Sequence, residues 1–469
     1  MRKYILMIAA GMLASCTVGP DYQAPDNYYG AQWASWRSGD SEAPIAVQWW
    51  QVFNDPLLTK YIGQAAQNNK DVEIALANVT RARALRRESN SGFFPSVGSD
   101  AGARRSKSSE AVSSGNNAGQ INNLYDAGFD ASWELDIFGG IRRGSEAADA
   151  RMGSAIASYH DIMLTAFSDV ARTYYEARGF QKRIEITQKN ADLFQQTYSL
   201  LEKRLEVGES SQFDVTRARG EYQSTLARIP NLQADLEASV YTLSALLGLP
   251  PEALSEEMSE SKPLPVPPDF VPVGLRSDML RRRPDIRMAE RDLAASSADI
   301  GVQTAELFPK FFLTGDVGSQ ARVFGDLFTA AGGLWSLAAA MQWSVFEGGA
   351  IRSRIDVEKA ENKAALATYE KTVLEALADA ETALTRYGRE VETQQKLEES
   401  IQSRREAVRL AQQLLDAGES DYLEVLDAQR ELTSSEDTLV ISETNTIIKL
   451  VALYTALGGG WENPPQSAE

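Results

Sequence analysis

One cysteine (Cys16) and one histidine (His160) stand among 469 residues. A disulfide framework needs pairs, and a Cys/His zinc site or a Cys–His or Ser–His catalytic pair has almost nothing to draw on. Positive charge is also scarce. Lys and Arg number 47 against 65 Asp and Glu, a net charge of −18 that repels phosphate backbones and anionic surfaces, so nucleic acid is not an expected partner. Beyond the first residues no apolar run approaches the ~20 residues of a membrane-spanning helix, so a membrane crossing has to use strands. No Walker A, GxGxxG, GxSxG or HExxH pattern occurs, and no methionine cluster suggests soft-metal handling. An enzyme is therefore not expected, and neither a cofactor nor a metal is called for. The composition that remains, 43% hydrophobic and 24% charged, is that of a folded protein rather than a disordered one.

The N-terminus carries an address. Met1-Arg2-Lys3 supplies positive charge, and an apolar stretch from Tyr4 to Ala14 is too short to span a bilayer but suits a signal peptide. It ends in Leu13-Ala14-Ser15-Cys16, which resembles a bacterial lipoprotein box. The expectation is cleavage after residue 15 and lipidation of Cys16. Thr17 stands where bacterial lipoproteins retained at the inner membrane favour Asp.

The chain then repeats itself. Asp71-Val72-Glu73-Ile74-Ala75 with Phe94-Pro95 returns 214 positions later as Asp285-Ile286-Arg287-Met288-Ala289 with Phe308-Pro309. From Tyr159 and Tyr369 onward the offset holds at 210, through Gly208-Glu209-Ser210 with Gly418-Glu419-Ser420 to Leu247-Gly248 with Leu457-Gly458. Such agreement reads as an internal duplication. Each copy reads helix, strand, strand, long helix, turn, helix. The long helices, about 141–207 and 351–417, run to roughly 100 Å at 1.5 Å per residue. Their seams, Met163, Phe167, Val170, Tyr174, Ala177 and Val373, Leu377, Ala380, Leu384, Tyr387, Val391, alternate steps of four and three, the spacing of coiled-coil packing. Return helices follow at 211–247 and 421–457, and Pro230 should kink the first.

The strand segments carry an amphipathic alternation. Tyr125, Ala127, Phe129, Ala131, Trp133, Leu135 and Ile137 alternate with polar or small residues, as do Trp335, Leu337, Ala339, Met341, Trp343 and Val345. A soluble sandwich with one wet face shows the same period. The length of each run, the flanking aromatics and the lipoprotein signal favour transmembrane strands, paired with 96–104 and 311–320. Four strands per chain cannot stay open in lipid, so the barrel has to be shared. Two chains would supply eight strands and three would supply twelve, and strand counting leaves both open.

Leu13-Ala14-Ser15-Cys16-Thr17-Val18-Gly19-Pro20-Asp21-Tyr22, Trp49-Trp50 with Phe53-Asn54-Asp55-Pro56-Leu57, and Trp133-Glu134-Leu135-Asp136-Ile137-Phe138-Gly139 resemble the outer-membrane-factor family of efflux systems. So do Leu280-Arg281-Arg282-Arg283-Pro284-Asp285-Ile286-Arg287 and Leu457-Gly458-Gly459-Gly460-Trp461. The resemblance, strongest to the lipidated OprM/OprN branch of the TolC superfamily, covers nearly the whole mature chain. It implies a mixed α and β membrane protein in the bacterial outer membrane: a trimeric 12-stranded β-barrel, continued by a 12-helix periplasmic α-barrel with an equatorial domain. It further implies an exit duct for small compounds, coupled to an inner-membrane pump of the resistance-nodulation-division class through a periplasmic adaptor (membrane fusion protein). Protein secretion or metal export through the duct, or a coiled-coil spacer lipoprotein without a channel, are the alternatives.

The corresponding organisation is a signal peptide at 1–15, an anchored equatorial segment at 16–70, a first repeat at 71–248 and a linker at 249–272. A second repeat at 273–458 and a tail at 459–469 complete it, with hairpins at about 94–137 and 309–346. By resemblance, two turns contact the adaptor: Val207, Gly208, Glu209, Ser210 and Ala417, Gly418, Glu419, Ser420. Asp427 and Arg430, at i and i+3, match a stretch that closes the periplasmic aperture; the first copy has Arg217 and Gly220 there. Where the OprM branch commonly carries Tyr-Arg, this chain has Leu415-Asp416, which adds Asp416 to an acidic mouth with Glu206, Glu209, Asp214, Glu419, Asp421 and Glu424.

Overall fold

The computed structural model describes residues 17–25, 33–35, 41, 43, 46–111, 119–268 and 270–462. Cys16, the expected lipidation site, lies outside these residues. The described elements are α1 (Pro56–Asn68), α2 (Lys70–Ser91), β1 (Ser96–Lys107), β2 (Ile121–Leu135), α3 (Gly140–Glu206), α4 (Gln212–Leu226), α5 (Ile229–Leu246), α6 (Arg276–Arg282), α7 (Pro284–Ala305), β3 (Lys310–Ala321), β4 (Gly333–Gln342), α8 (Ala350–Ala417) and α9 (Tyr422–Ala456). They fall into two compact units. One holds the described part of Met1–Asp26 with Val79–Ala155 and Met288–Glu370; the other holds the described parts of Asn27–Asn78, Ile156–Arg287 and Lys371–Glu469.

The first unit contains an antiparallel four-stranded sheet in the order β1-β2-β3-β4. Period-two alternation sorts its residues because cross-strand partners share a face. One face carries the rows Val97–Ala131–Gly315–Leu337 and Ser99–Phe129–Val317–Trp335. The other carries Gly98–Asp130–Asp316–Ser336, and Ser336 donates a hydrogen bond to Asp316. Apolar residues on the first face are left open: Leu337 is 78% and Trp335 79% exposed. Burial cannot explain why they are apolar. Each hairpin is tied to the turn that follows the helix preceding it, since the Trp133 indole donates to the Phe93 carbonyl (3.1 Å) and the Trp343 indole to the Leu307 carbonyl (3.1 Å).

An N-terminal strap crosses the point where β2 becomes α3. The Val18 N–H donates to the Phe138 carbonyl (3.1 Å), and Thr17 packs on Gly139. Arg143 Nε donates to the Val18 carbonyl (3.1 Å) and Nη2 to Asp21 (2.7 Å). Gly19 lies against Gly301, so close that a Cβ on Gly19 would stand 2.4 Å from the Gly301 Cα. Tyr22 closes the strap by donating to Glu290 (3.0 Å).

The second unit has an aromatic and aliphatic core. Trp49 and Trp50, in a 3-10 turn (Trp49–Phe53), are fully buried. Trp49 stacks on Tyr454 at 5.8 Å, and Trp50 meets the edge of Phe167 at 5.7 Å. The seam residues Met163, Phe167, Val170, Tyr174 and Ala177 are all buried, as are Val373, Ala380, Leu384 and Tyr387, while Leu377 and Val391 are half-buried. The expected first return helix is two helices, not one bent helix. It stops at Ala227 and restarts as α5 with Pro230 in its first turn, where the missing N–H is tolerated. Its counterpart α9, with Val440 at the matching position, runs unbroken for 35 residues.

Candidate functional site

The two expected turns share one geometry. After α3, Gly208 takes φ +81°, the Gly208 N–H donates to the Leu205 carbonyl (3.0 Å) and the Glu209 N–H to the Arg204 carbonyl (2.8 Å). After α8, Gly418 takes φ +74°, with Gly418 N–H to Leu415 (3.1 Å) and Glu419 N–H to Leu414 (2.9 Å). Both are Schellman caps, and a left-handed residue is what each requires. The next helix starts at once in both places. Ser211 caps α4 in a reciprocal box with Asp214, and the Asp421 carboxylate caps α9 by accepting from the Leu423 N–H (2.8 Å). Ser420 donates to Glu424 (2.6 Å).

Nothing lies within 4 Å of a Cβ built on Gly208 or Gly418. Substitution there is therefore opposed by backbone conformation alone. Gly418→Ala should cost ~1 kcal/mol and Gly418→Asn less, because Asn tolerates the left-handed region better. Amide exchange at the turn should accelerate in that order; equal exchange in all three proteins would contradict the cap.

Val207, Gly208 and Glu209 are exposed, as are Ala417, Gly418 and Glu419, with Ser210 and Ser420 half-buried. The turns differ in chemistry. Val207 (70% exposed) is joined by Phe213 (67%) at the first, while the matching positions of the second hold Ala417 and the half-buried Leu423. Lys203 and Arg204 occupy the last turn of α3, whereas α8 ends without a base. The expected acidic cluster is thus uneven, with Lys203 and Arg204 beside its first turn and no base in the last turn of α8. Two of its acids, Asp214 and Asp421, accept at helix caps, and Glu424 accepts from the Ser420 hydroxyl.

Asp427 and Arg430 meet partners on the facing helix. Arg217 donates to Asp427 (3.2 Å), and Arg430 lies 3.3 Å from Glu221 and 4.0 Å from Asp427. The result is a chain Arg217–Asp427–Arg430–Glu221 joining α4 to α9. Sequence reasoning missed Glu221. The signal for the pairing was available, because Arg217 and Asp427 are the same position of the two copies with opposite charge. Each link is at least partly exposed and contributes under ~1 kcal/mol. Beneath it, Val215, Ala218, Tyr422, Val425 and Leu426 pack with Phe194 and Leu201. Burial, reinforced by Glu221, pushes the Tyr422 hydroxyl above its ordinary range. Asp416 does not join this chain: it is exposed and accepts from Gln412 one turn back (3.2 Å).

Among the described residues no group of His, Cys, Asp and Glu is arranged to hold a metal ion. His160 stacks on Trp461 (4.4 Å), and burial, then Arg287, lowers its pKa.

The model of the family described as outer membrane efflux protein matches the chain twice, over residues 61–249 and 275–459. The solvent efflux pump outer membrane protein SrpC of Pseudomonas putida is 32% identical over 469 residues, covering 98% of each chain. Nodulation protein T of Rhizobium leguminosarum bv. trifolii is 31% identical over 480 residues, covering 99% of each. Among solved structures, the outer-membrane channel OprN superposes with a TM-score of 0.90 at 35% identity, over 96% of this chain and all of that one. The Campylobacter jejuni CmeC outer membrane channel shares the fold, with a TM-score of 0.89 at 20% identity over 95% of each chain. The glycine-capped turns, the amphipathic hairpins and these likenesses agree, and the chain belongs to the outer membrane efflux protein family, as an outer membrane factor of the TolC superfamily.

Proposed function

We propose that three copies of this chain form the exit duct of a tripartite efflux system, passing small amphiphilic compounds from an inner-membrane pump through a periplasmic adaptor to the outside. One observation carries the reading. Among the described residues the outer edges of β1 and β4 have no partner strand, while the sheet presents an open apolar face. In lipid each unpaired backbone group costs several kcal/mol, so the edges must be closed by further copies. Three copies give twelve strands, wide enough for a lumen, whereas eight strands fill with side chains. The 67- and 68-residue helices α3 and α8 then carry the duct through the periplasm to the glycine turns.

In this reading the chain crosses the outer membrane with both hairpin tips outside. The turns at 207–210 and 417–420 meet the adaptor, and the Arg217–Asp427–Arg430–Glu221 chain holds the aperture closed. Asp416 adds carboxylate repulsion and cation capture at the mouth. Lipidation at Cys16 is part of this reading, carried by the lipoprotein-like Leu13-Ala14-Ser15-Cys16.

Light scattering in detergent, with the detergent subtracted, should give three chain masses, and the trimer in a planar bilayer should conduct. A monomer with native strand content would end the duct reading. In the same bilayer, Asp427→Asn should free Arg217 and lengthen openings, and Asp416→Asn should weaken the effect of divalent cations. Unchanged traces would remove these residues from the aperture.

A further inference from the structure

The chain repels phosphate as a whole, yet the outer end of its sheet reverses that sign. β1 ends in Arg104-Arg105-Ser106-Lys107. The register pairs Ala103 with Tyr125, Arg105 with Asn123 and Lys107 with Ile121, so Arg105 and Lys107 stand on the same face as Tyr125, Phe129 and Val317. Arg104, paired with Leu124, stands on the opposite face, the one that holds Asp126 and Asp130. The β3–β4 loop adds aromatics to the first face. Phe324 meets the Tyr125 ring edge-on at 5.5 Å and is itself met by Phe328 at 5.6 Å. Phe324 and Phe328 are 59% and 78% exposed, and Ile121 is 55% exposed. Among the described residues no carboxylate pairs with Arg105, and Lys107 has only the exposed Glu110 at 3.8 Å.

From the sheet outward the order is therefore apolar rows, an aromatic cluster, then two cations. At about 3.4 Å per residue Arg105 and Lys107 stand roughly 7 and 14 Å beyond the Tyr125 row. A membrane presents the same sequence of chemistries: acyl chains, the interfacial zone that aromatics favour, then headgroup charge. We infer that Arg105 and Lys107, above the Tyr125–Phe324–Phe328 cluster, bind the phosphate groups of an anionic lipid in the outer leaflet. Charge complementarity and continuity with the lipid-facing rows select this occupant. A protein partner would have no reason to require cations on the lipid side of the girdle. The guanidinium offers paired donors to phosphate oxygens, and the lysine adds a mobile point charge.

This inference rests on the sheet being membrane-spanning, and the two can fail separately. Flotation of a Cys16→Ser chain with phosphatidylcholine vesicles tests the span without the lipid anchor. For the lipid site, the detergent-purified full chain is offered three probes: bis-phosphorylated lipid A, the same glycolipid dephosphorylated, and phosphatidylcholine. Retained lipid is counted by native mass spectrometry, which also reports that each variant is assembled. The wild type should prefer the phosphorylated glycolipid about tenfold over its dephosphorylated form, a ratio in keeping with basic residues at an anionic surface. Arg105→Gln combined with Lys107→Gln should abolish the preference without changing retention of phosphatidylcholine, and Arg104→Gln should leave it intact. A wild type without the preference overturns the inference. So does a double variant that keeps it, or an Arg104→Gln protein that loses it equally.

Discussion

Replacing Arg283 with methionine should cost ~3–5 kcal/mol, the range for breaking one side of a buried ion pair. The side chain is only 12% exposed and stands at the N-cap of α7. It donates to both oxygens of Asp285 (3.0 and 2.6 Å), to the Ala456 carbonyl near the end of α9 (2.9 Å), and lies 3.6 Å from Asp379. Burial acts to lower its pKa, but the Asp285 hydrogen bonds and the charges of Asp285, Asp379 and Asp161 outweigh that and raise it. Around it is a cavity of about 540 Å³ lined by Asp161, Asp285 and Asp379 among others. Without the guanidinium these three carboxylates face one another, and methionine fills the volume without supplying charge.

The sign of the pH dependence follows from Asp161. Burial, then Asp285, raises its pKa in the folded protein, and Arg283 is what opposes the rise. A group that binds its proton more tightly when folded gains stability as pH falls through its folded pKa. Removing Arg283 raises that pKa further, so the deficit of Arg283→Met should shrink as pH falls from neutrality toward the carboxylate range. Thermal loss of the helical signal measures it. A deficit that does not change with pH would mean that the carboxylates never relied on Arg283.

The second large effect concerns the sheet. Leu337→Lys places a charge near the middle of β4 on the apolar face, which at the membrane midplane costs ~2–4 kcal/mol per chain. Ser336→Lys, one residue away, points to the other face, where Asp316 accepts a hydrogen bond from Ser336 and Asp130 is the cross-strand partner of Asp316. That lysine meets two carboxylates and should be tolerated or even favourable. In a Cys16→Ser background, the yield of membrane-assembled protein after flotation should fall by more than about tenfold for Leu337→Lys and stay near the parent for Ser336→Lys. Equal yields would show that the two faces do not see lipid and water.

The elements that were legible in the sequence are those whose period is local. The alternation through Tyr125–Ile137 is enough to find β2, and the four-three seam is enough to find α3 and α8. The break at Ala227 was half legible. Pro230 announces a disturbance, but only packing decides between a bend and a new helix. Trp49-Trp50 shows no period, and its burial against Tyr454 and Phe167 joins residues more than a hundred positions apart. At the turns, Gly208 and Gly418 were readable because their position between helices demands a left-handed residue. Glu221 was not, because a partner on a facing helix has no signature in its own surroundings. The cations of β1 were in plain view, but they acquired a direction only once the register placed Arg105 beside Tyr125's row and Arg104 behind it.

The strap at residues 17–22 has a consequence in time. Export delivers the N-terminus first, yet Val18 and Gly19 can dock only when Phe138 and Gly139 have formed their junction and Gly301 has arrived from the other half of the chain. Contacts spanning about 280 residues close late, because loop entropy opposes them until the intervening structure exists. The first segment to cross the inner membrane is therefore among the last to settle. Until it does, the junction of β2 and α3 stays unlatched, and a half-folded protomer differs from a finished one at that point.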